Sequence, residues 1–122
     1  MIEKRGNTLL VGAHEWAWSR RTLGFPVYAV LKVPGGFELQ KIGETLKHFT
    51  KYYLPKNTVA VVRKYVSNLG NRRYYIYVFD NDDFRTYILS EVENFSYHVE
   101  GPDKEILNFV REWILKEEVE KI

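Results

Sequence analysis

The sequence predicts an α+β fold, with a mainly antiparallel sheet, two short central helices and a C-terminal amphipathic helix. Three observations lead to this class. Short runs of β-branched and aromatic residues alternate with turn residues, helical spacing of apolar residues occurs in a few segments only, and Gly and Pro fall singly between them. At 122 residues and 45% apolar, the chain matches one domain of roughly 100–150 residues, so we treat residues 1–122 as a single domain.

The first elements are predicted strands. Residues 8–18 mix apolar and polar positions and place Trp16 and Trp18 on one face if extended. Residues 27–33 are rich in β-branched side chains, and 37–40 follow after Pro34-Gly35-Gly36, which predicts a hairpin closed by a glycine turn. The alternative for this segment is a helix that ends at Gly35.

Two short helices are predicted in the middle of the chain. In residues 43–53 three apolar side chains recur at helical spacing, and Pro55 ends the segment. The second helix begins at the N-cap Asn57 and ends at Gly70, with apolar residues at i, i+3, i+7 and i+10, which are Val59, Val62, Val66 and Leu69. Its valines also permit a strand.

The last third of the chain reads as a hairpin, a strand and a helix. Residues 73–79 and 84–89 are β-rich runs separated by Asp80-Asn81-Asp82-Asp83, whose side chains favour turns. Residues 95–99 predict one more strand. Residues 104–120 predict the terminal helix, with an apolar side and Pro102 near its first turn.

Composition excludes several classes of protein. The absence of cysteine excludes disulfides, Cys-ligated zinc, iron–sulfur clusters and a cysteine nucleophile. Uncharged stretches such as residues 22–31 are far shorter than the roughly 20 residues that cross a bilayer, and the first residues lack a signal-peptide pattern. We therefore expect a cytoplasmic protein that does not enter membranes. Few thermolabile residues and many charged ones suggest a thermophile, with an archaeal or viral source.

Charge is distributed very unevenly along the chain. Residues 1–75 carry thirteen Lys or Arg against four Glu, whereas residues 76–122 carry five against twelve acids. A basic segment interleaved with aromatic rings predicts binding to nucleic acid, because cations hold phosphates and rings stack on bases. The predicted binding residues are Arg20, Arg21, Lys47, Lys51, Lys56, Asn57, Arg63, Lys64, Arg72, Arg73, Tyr75 and Tyr77.

One strand offers a specific platform for bases. If residues 73–79 are extended, alternation places Arg73, Tyr75 and Tyr77 on one face and Tyr74 and Ile76 on the other. Exposed rings beside a cation are what a binder of single strands uses. The alternative is that these tyrosines are core residues.

Residues 37–89 loosely resemble a winged helix-turn-helix. The resemblance rests on the two central helices, on the opening Lys56-Asn57-Thr58-Val59 followed by Arg63-Lys64, and on the hairpin as the wing. It implies that the second helix faces duplex DNA. Phe49 and Tyr53 depart from the pattern, which expects a small residue and a glycine there. The expected target is nucleic acid with DNA favoured, single- or double-stranded, and with RNA as the alternative.

Other functions remain open in the sequence. A metal-dependent nuclease would use Glu38 with Asp80, Asp82 or Asp83. A protein–protein module, such as a viral inhibitor of host defence, would use the acidic terminal helix, which is also the candidate interface of a homodimer. No motif for a nucleophile or a phosphate loop is present, and the three histidines are too far apart in sequence for metal-ligand spacing. We therefore expect no cofactor, no metal and no catalysis.

Overall fold

The computed structural model describes residues 1–17 and 23–119. Their secondary structure is, in order, β1 (Ile2–Arg5), β2 (Thr8–Val11), β3 (Pro26–Val33), β4 (Gly36–Glu44), β5 (Thr50–Tyr53), β6 (Thr58–Val66), β7 (Arg72–Asp80), β8 (Asp83–Ser90), a short 3-10 helix (Glu91–Glu93) and α1 (Asp103–Val119). The α+β class, the antiparallel sheet and the C-terminal helix are thus confirmed. Among the described residues, no helix is long and apolar enough to cross a membrane.

The elements form three layers. A five-stranded antiparallel sheet in the order β4-β3-β6-β7-β8 lies in the middle, and a three-stranded antiparallel sheet in the order β1-β2-β5 covers part of one face. Helix α1 packs on the other face. The central strand β6 therefore has protein on both sides.

Two apolar cores hold the layers together. The first lies between the large sheet and α1, where Ile76 and Leu89 meet Leu107, Val110 and Ile114. The second lies between the two sheets and consists of Leu9, Val11, Trp16, Val27, Tyr52, Leu54, Val61 and Tyr77. Each fully buried aliphatic side chain contributes roughly 1.5–3 kcal/mol. The two cores fix β6 and β7 between them.

The prediction of a second central helix is wrong, because residues 58–66 form strand β6. Since residues 60–63 of β6 are buried on both faces, the apolar residues in this part of the strand form a continuous run in place of the alternation that marks a half-exposed strand. That run also satisfies a helical spacing, and the β-branched valines favour the strand. Asn57 and Gly70 adopt positive φ angles of 69° and 86° in the turns that flank β6, so they are turn residues and not helix caps.

The first central helix is also absent from the structure. The end of β4 and the start of β5 take up residues 43, 44 and 50–53, and a loop joins them. The apolar residues that suggested a helix remain on the surface, since Leu46 is 42% and Phe49 54% exposed, while Tyr52 points into the core. Both helices of the winged helix-turn-helix resemblance are thus missing, and the resemblance fails.

The hairpin predictions are confirmed, and two strand predictions are not. The β3–β4 and β7–β8 hairpins form as expected, the latter with Asp80 paired to Asp83 across a turn. The predicted strand at 95–99 is absent: Phe95 packs into the first core, but residues 96–100 have no regular structure. The strand predicted at 8–18 ends at Val11.

Candidate nucleic-acid interface

Strands β6 and β7 place the predicted binding residues on opposite sides of the large sheet. They pair in antiparallel register, with Arg63 opposite Tyr75, Lys64 opposite Tyr74 and Tyr65 opposite Arg73. Because side chains alternate along a strand, successive pairs point to opposite faces. The consecutive cations Arg63-Lys64 and Arg72-Arg73 are therefore divided between the two sides.

On the α1 side the cations are neutralised by carboxylates. Lys64 Nζ lies 3.1 Å from Glu118 Oε1, and Arg72 forms ion pairs with Glu118 and Glu91. Tyr74 donates a hydrogen bond to Glu118 as well. Partial burial raises the pKa of Glu118, but the hydrogen bonds and the nearby cations lower it by more. The net pKa is therefore below the usual value of a glutamate, and the carboxylate stays ionised to a lower pH. Acidic residues from the second half of the chain thus form ion pairs with basic residues from the first half.

The other side carries a surface that we call the open face. It consists of Arg63, Tyr65, Arg73, Tyr75, Thr86 and Ile88, which lie on β6, β7 and β8 beyond the three-stranded sheet. Thr86 and Ile88 are exposed, and Tyr65, Arg73 and Tyr75 are half-buried. Strands β6 to β8 place no Asp or Glu on this side of the sheet. In the described part of the chain, neither Arg63 nor Arg73 forms an ion pair.

Four side chains of the open face alternate as cation and ring. The Arg63 guanidinium carbon lies 4.1 Å from the centre of the Tyr75 ring, and that of Arg73 lies 5.8 Å from the centre of the Tyr65 ring. The two rings meet edge to face, with centres 6.0 Å apart and planes at 89°. Each guanidinium is thereby held against a ring, and cation–π attraction takes the place of a carboxylate partner.

Arg63 is the most unusual residue of the site. Arg63 is only 8% exposed, yet Nη1 has no hydrogen-bond partner within residues 1–17 and 23–119. Nε donates a hydrogen bond to the Tyr77 hydroxyl at 3.0 Å, and the guanidinium lies 5.3 Å from the Trp16 ring. Burying a charge without a counterion costs several kcal/mol. The site therefore holds a positive charge that has no carboxylate partner among the residues that the structure describes.

Tyr77 supports this arrangement from below. It shares the face of Arg73 and Tyr75, as the strand alternation predicts, but it is 3% exposed and its ring stacks on Trp16 with centres 5.4 Å apart. Burial raises the pKa of its hydroxyl, and the hydrogen bond with Arg63 opposes part of that rise. Tyr77 orients Arg63 and lies too deep to contact a ligand.

The structure does not bring the remaining predicted residues to the open face. Lys51 is on the outer surface of the three-stranded sheet, Lys47 is in the loop between β4 and β5, and Lys56 and Asn57 are in the turn before β6. Arg20 and Arg21 lie outside the described residues. Tyr65 is a site residue that the sequence analysis did not select, because predicting a helix over β6 concealed its pairing with Arg73.

The acids that a nuclease would need are separated. Glu38 is on β4 and the Asp80–Asp83 turn ends β7, and β4 and β8 are opposite edges of the sheet. Asp80 pairs with Arg85 at 3.3 Å, and Asp82 accepts a hydrogen bond from the Gly6 amide at 3.0 Å. Within residues 1–17 and 23–119, no group of three or more His, Asp or Glu side chains is placed to hold a metal ion.

Comparison with known proteins adds no family to this description. No protein-family model matches the chain, and no curated protein and no solved structure matches it significantly. The functional argument therefore rests on the open face alone.

Proposed function

We propose that this protein binds nucleic acid without catalysis, DNA being the favoured target, and that the open face is its binding surface. The observation that carries the proposal is the buried Arg63 guanidinium, for which the described residues provide no carboxylate and no hydrogen-bond partner at Nη1. Nη1 itself is enclosed, so a phosphate on the surface above the guanidinium would offset this charge through electrostatic attraction. Among anions, a nucleic acid also supplies rings for the tyrosines beside it.

The neighbouring residues support the same ligand. Arg73 adds a second cation, which has no carboxylate partner in the described part of the chain, and Tyr65 and Tyr75 add aromatic surface next to both. Base stacking on an aromatic side chain is worth roughly 1–3 kcal/mol per base. The combination of two cations and two rings on one sheet surface suits a ligand that alternates phosphates and bases.

A salt titration tests the proposal. Fluorescence anisotropy of a labelled DNA oligonucleotide gives the dissociation constant at several salt concentrations. We expect affinity to fall steeply with salt, because neutralised phosphates release counterions. Arg73→Gln removes one contact and should reduce the slope of log K against log salt by about 0.7 for a single strand or 0.9 for a duplex.

Arg5→Gln is the matched control. Arg5 is a strand arginine on β1 whose side chain is 67% exposed and paired with Glu3 at 2.7 Å, so the substitution also removes one charge. It should leave both slope and affinity close to those of the parent. An affinity independent of salt, or equal losses in the two variants, would contradict binding at the open face.

The finer expectations from sequence stay predictions. They are a preference for DNA over RNA, a cytoplasmic location, a thermophilic archaeal or viral source, and a homodimer formed through α1. For the dimer, the relevant observation is that Glu118 already pairs with Lys64 and Arg72 of its own chain. Light scattering at two salt concentrations measures the oligomeric state directly.

A further inference from the structure

We infer that the ligand of the open face is single-stranded, so that unpaired bases, and not a duplex groove, are recognised. This inference rests on the proposed function and makes it more specific. It depends on three features of the described residues: the depth of Arg63, the geometry of the tyrosine pair and the charge at the tip of the β7–β8 hairpin.

The burial of Arg63 favours a flexible nucleic-acid strand as the ligand. A duplex holds its phosphates on a stiff cylinder, and proteins meet them with side chains that project from the surface. Arg63 does not project, since its guanidinium lies between the Trp16 and Tyr75 rings and the residue is 8% exposed. Since Nη1 is enclosed, a phosphate is attracted to this charge from the surface above it, and an unpaired strand can follow that surface closely at low cost.

The tyrosine pair requires bases with a free face. In a duplex each base is stacked on both sides, so it offers only its edge to a protein. Tyr65 and Tyr75 are half-buried in a perpendicular arrangement, with a guanidinium beside each. Neighbouring strands are roughly 4.8 Å apart and alternate residues about 6.6 Å apart, so the four side chains cover the area of about one or two bases. Unstacked bases fit this surface.

The hairpin that would enter a groove has the wrong charge. A two-stranded ribbon can lie in the major groove, and β7–β8 is the ribbon next to the open face. Its tip carries Asp80, Asp82 and Asp83, all exposed. Arg85 and Lys4 pair with Asp80 and Asp82, at 3.3 and 3.6 Å, so these five side chains together have no excess of positive charge with which to hold the phosphates of a groove. The described part of the chain offers no other element next to this face that combines a projecting shape with positive charge.

The test compares the binding of one oligonucleotide sequence as a single strand and as a duplex. A labelled single-stranded oligonucleotide and a hairpin duplex of the same sequence are titrated by anisotropy with the full chain at low salt. We expect the single strand to bind at least tenfold more tightly. Tyr75→Leu should weaken single-strand binding about fivefold or more, since it removes a stacking ring, and should change duplex binding less than twofold.

Tyr53→Leu is the matched control, because it removes a ring that is 68% exposed on strand β5 of the three-stranded sheet and is not part of the open face; its affinity should stay within twofold of the parent. If Tyr75→Leu does not fold by circular dichroism, Tyr65→Leu tests the partner ring with the same expectation. Equal affinity for both forms, or a single-strand affinity that tolerates loss of the ring, would overturn the inference and leave nucleic-acid binding intact. Binding to neither form would overturn both proposals.

Discussion

The two faces of the large sheet give basic side chains different partners. On the α1 side, Lys64 and Arg72 are enclosed by Glu118 and Glu91. On the open face, Arg63 and Arg73 are the chain neighbours of those residues but have rings in place of carboxylates. Cations adjacent in sequence are therefore paired with carboxylates on one side of the sheet and with aromatic rings on the other.

This difference explains the uneven distribution of charge along the chain. The acidic second half supplies Glu91, Asp103 and Glu118 to the α1 side, where they meet Arg72, Arg85 and Lys64. No comparable acid reaches the open face from β6 to β8. The net charge of +2 thus hides a neutralised face and a cationic one.

The largest loss of stability is expected from a substitution on the α1 side, at Glu118. Glu118→Ala leaves Lys64 and Tyr74 without their partner and Arg72 with Glu91 alone. Removing one member of a buried ion pair costs 3–5 kcal/mol, and partial exposure of Lys64 and Arg72 reduces this to roughly 2 kcal/mol. Urea unfolding measures it. Glu112→Ala, at an exposed site of the same helix, should stay within about 0.5 kcal/mol; equal losses would contradict the role of Glu118.

Asp103 should make the stability of the α1 side depend on pH. Its carboxylate accepts hydrogen bonds from Arg85 Nε at 2.7 Å and from the Tyr87 hydroxyl at 2.6 Å, and the Arg85 contact holds its pKa below the usual value. With a lowered folded pKa, the stabilisation is full above about pH 5 and is lost as pH falls through that pKa. Asp103→Asn should cost roughly 1.5 kcal/mol at pH 7.

The same variant supplies the discriminating measurement. The ionised carboxylate of Asp103 stabilises the folded parent, and protonation removes this contribution. The difference in free energy of unfolding between the parent and Asp103→Asn should therefore shrink when both are measured near pH 3. Tyr87→Phe removes a single hydrogen bond and serves as the control, with a smaller loss at pH 7. A difference that is the same at pH 3 and pH 7 would show that the carboxylate charge is irrelevant.

On the open face, removing a cation should not lower the free energy of unfolding, in contrast to the α1 side. Arg63→Met replaces a buried, unneutralised charge with an apolar side chain that can still pack against the Trp16 and Tyr75 rings. Desolvation of the charge outweighs the cation–π attraction, so we expect stability to be unchanged or to rise by up to about 1 kcal/mol. Urea unfolding would refute this if Arg63→Met lost more than about 2 kcal/mol. Nucleic-acid binding should weaken in the same variant.

The fold could be predicted where local signals and tertiary contacts agree. The β7–β8 hairpin has a half-exposed strand and a turn of Asp and Asn, so its pattern is visible in sequence. Strand β6 is buried on both sides over residues 60–63, and its valines satisfy a strand and a helix equally well. Only the sheet pairing, which joins β6 to β3 and β7, decides between them.

The site could be predicted in part for the same reason. Alternation within one strand correctly places Arg73, Tyr75 and Tyr77 on one face. It does not reveal that Trp16 covers Tyr77, or that Arg63 pairs with Tyr75 across the sheet. Nor does it show that Glu118, far along the chain, neutralises Lys64 and Arg72. These contacts join residues that are distant in sequence, so no local pattern contains them.

The smallest effect on stability is expected at Arg73, and it gives the most direct comparison of the two faces. Arg72→Gln breaks ion pairs with Glu91 and Glu118 and should cost about 1 kcal/mol, whereas Arg73→Gln should stay within about 0.5 kcal/mol because it breaks none in the described structure. Oligonucleotide affinity should show the opposite order, with the larger loss in Arg73→Gln. Urea unfolding and anisotropy on the same two proteins measure both quantities. If Arg73→Gln were the less stable variant, or the better binder of the two, the two faces of the sheet would not divide stability and binding between them.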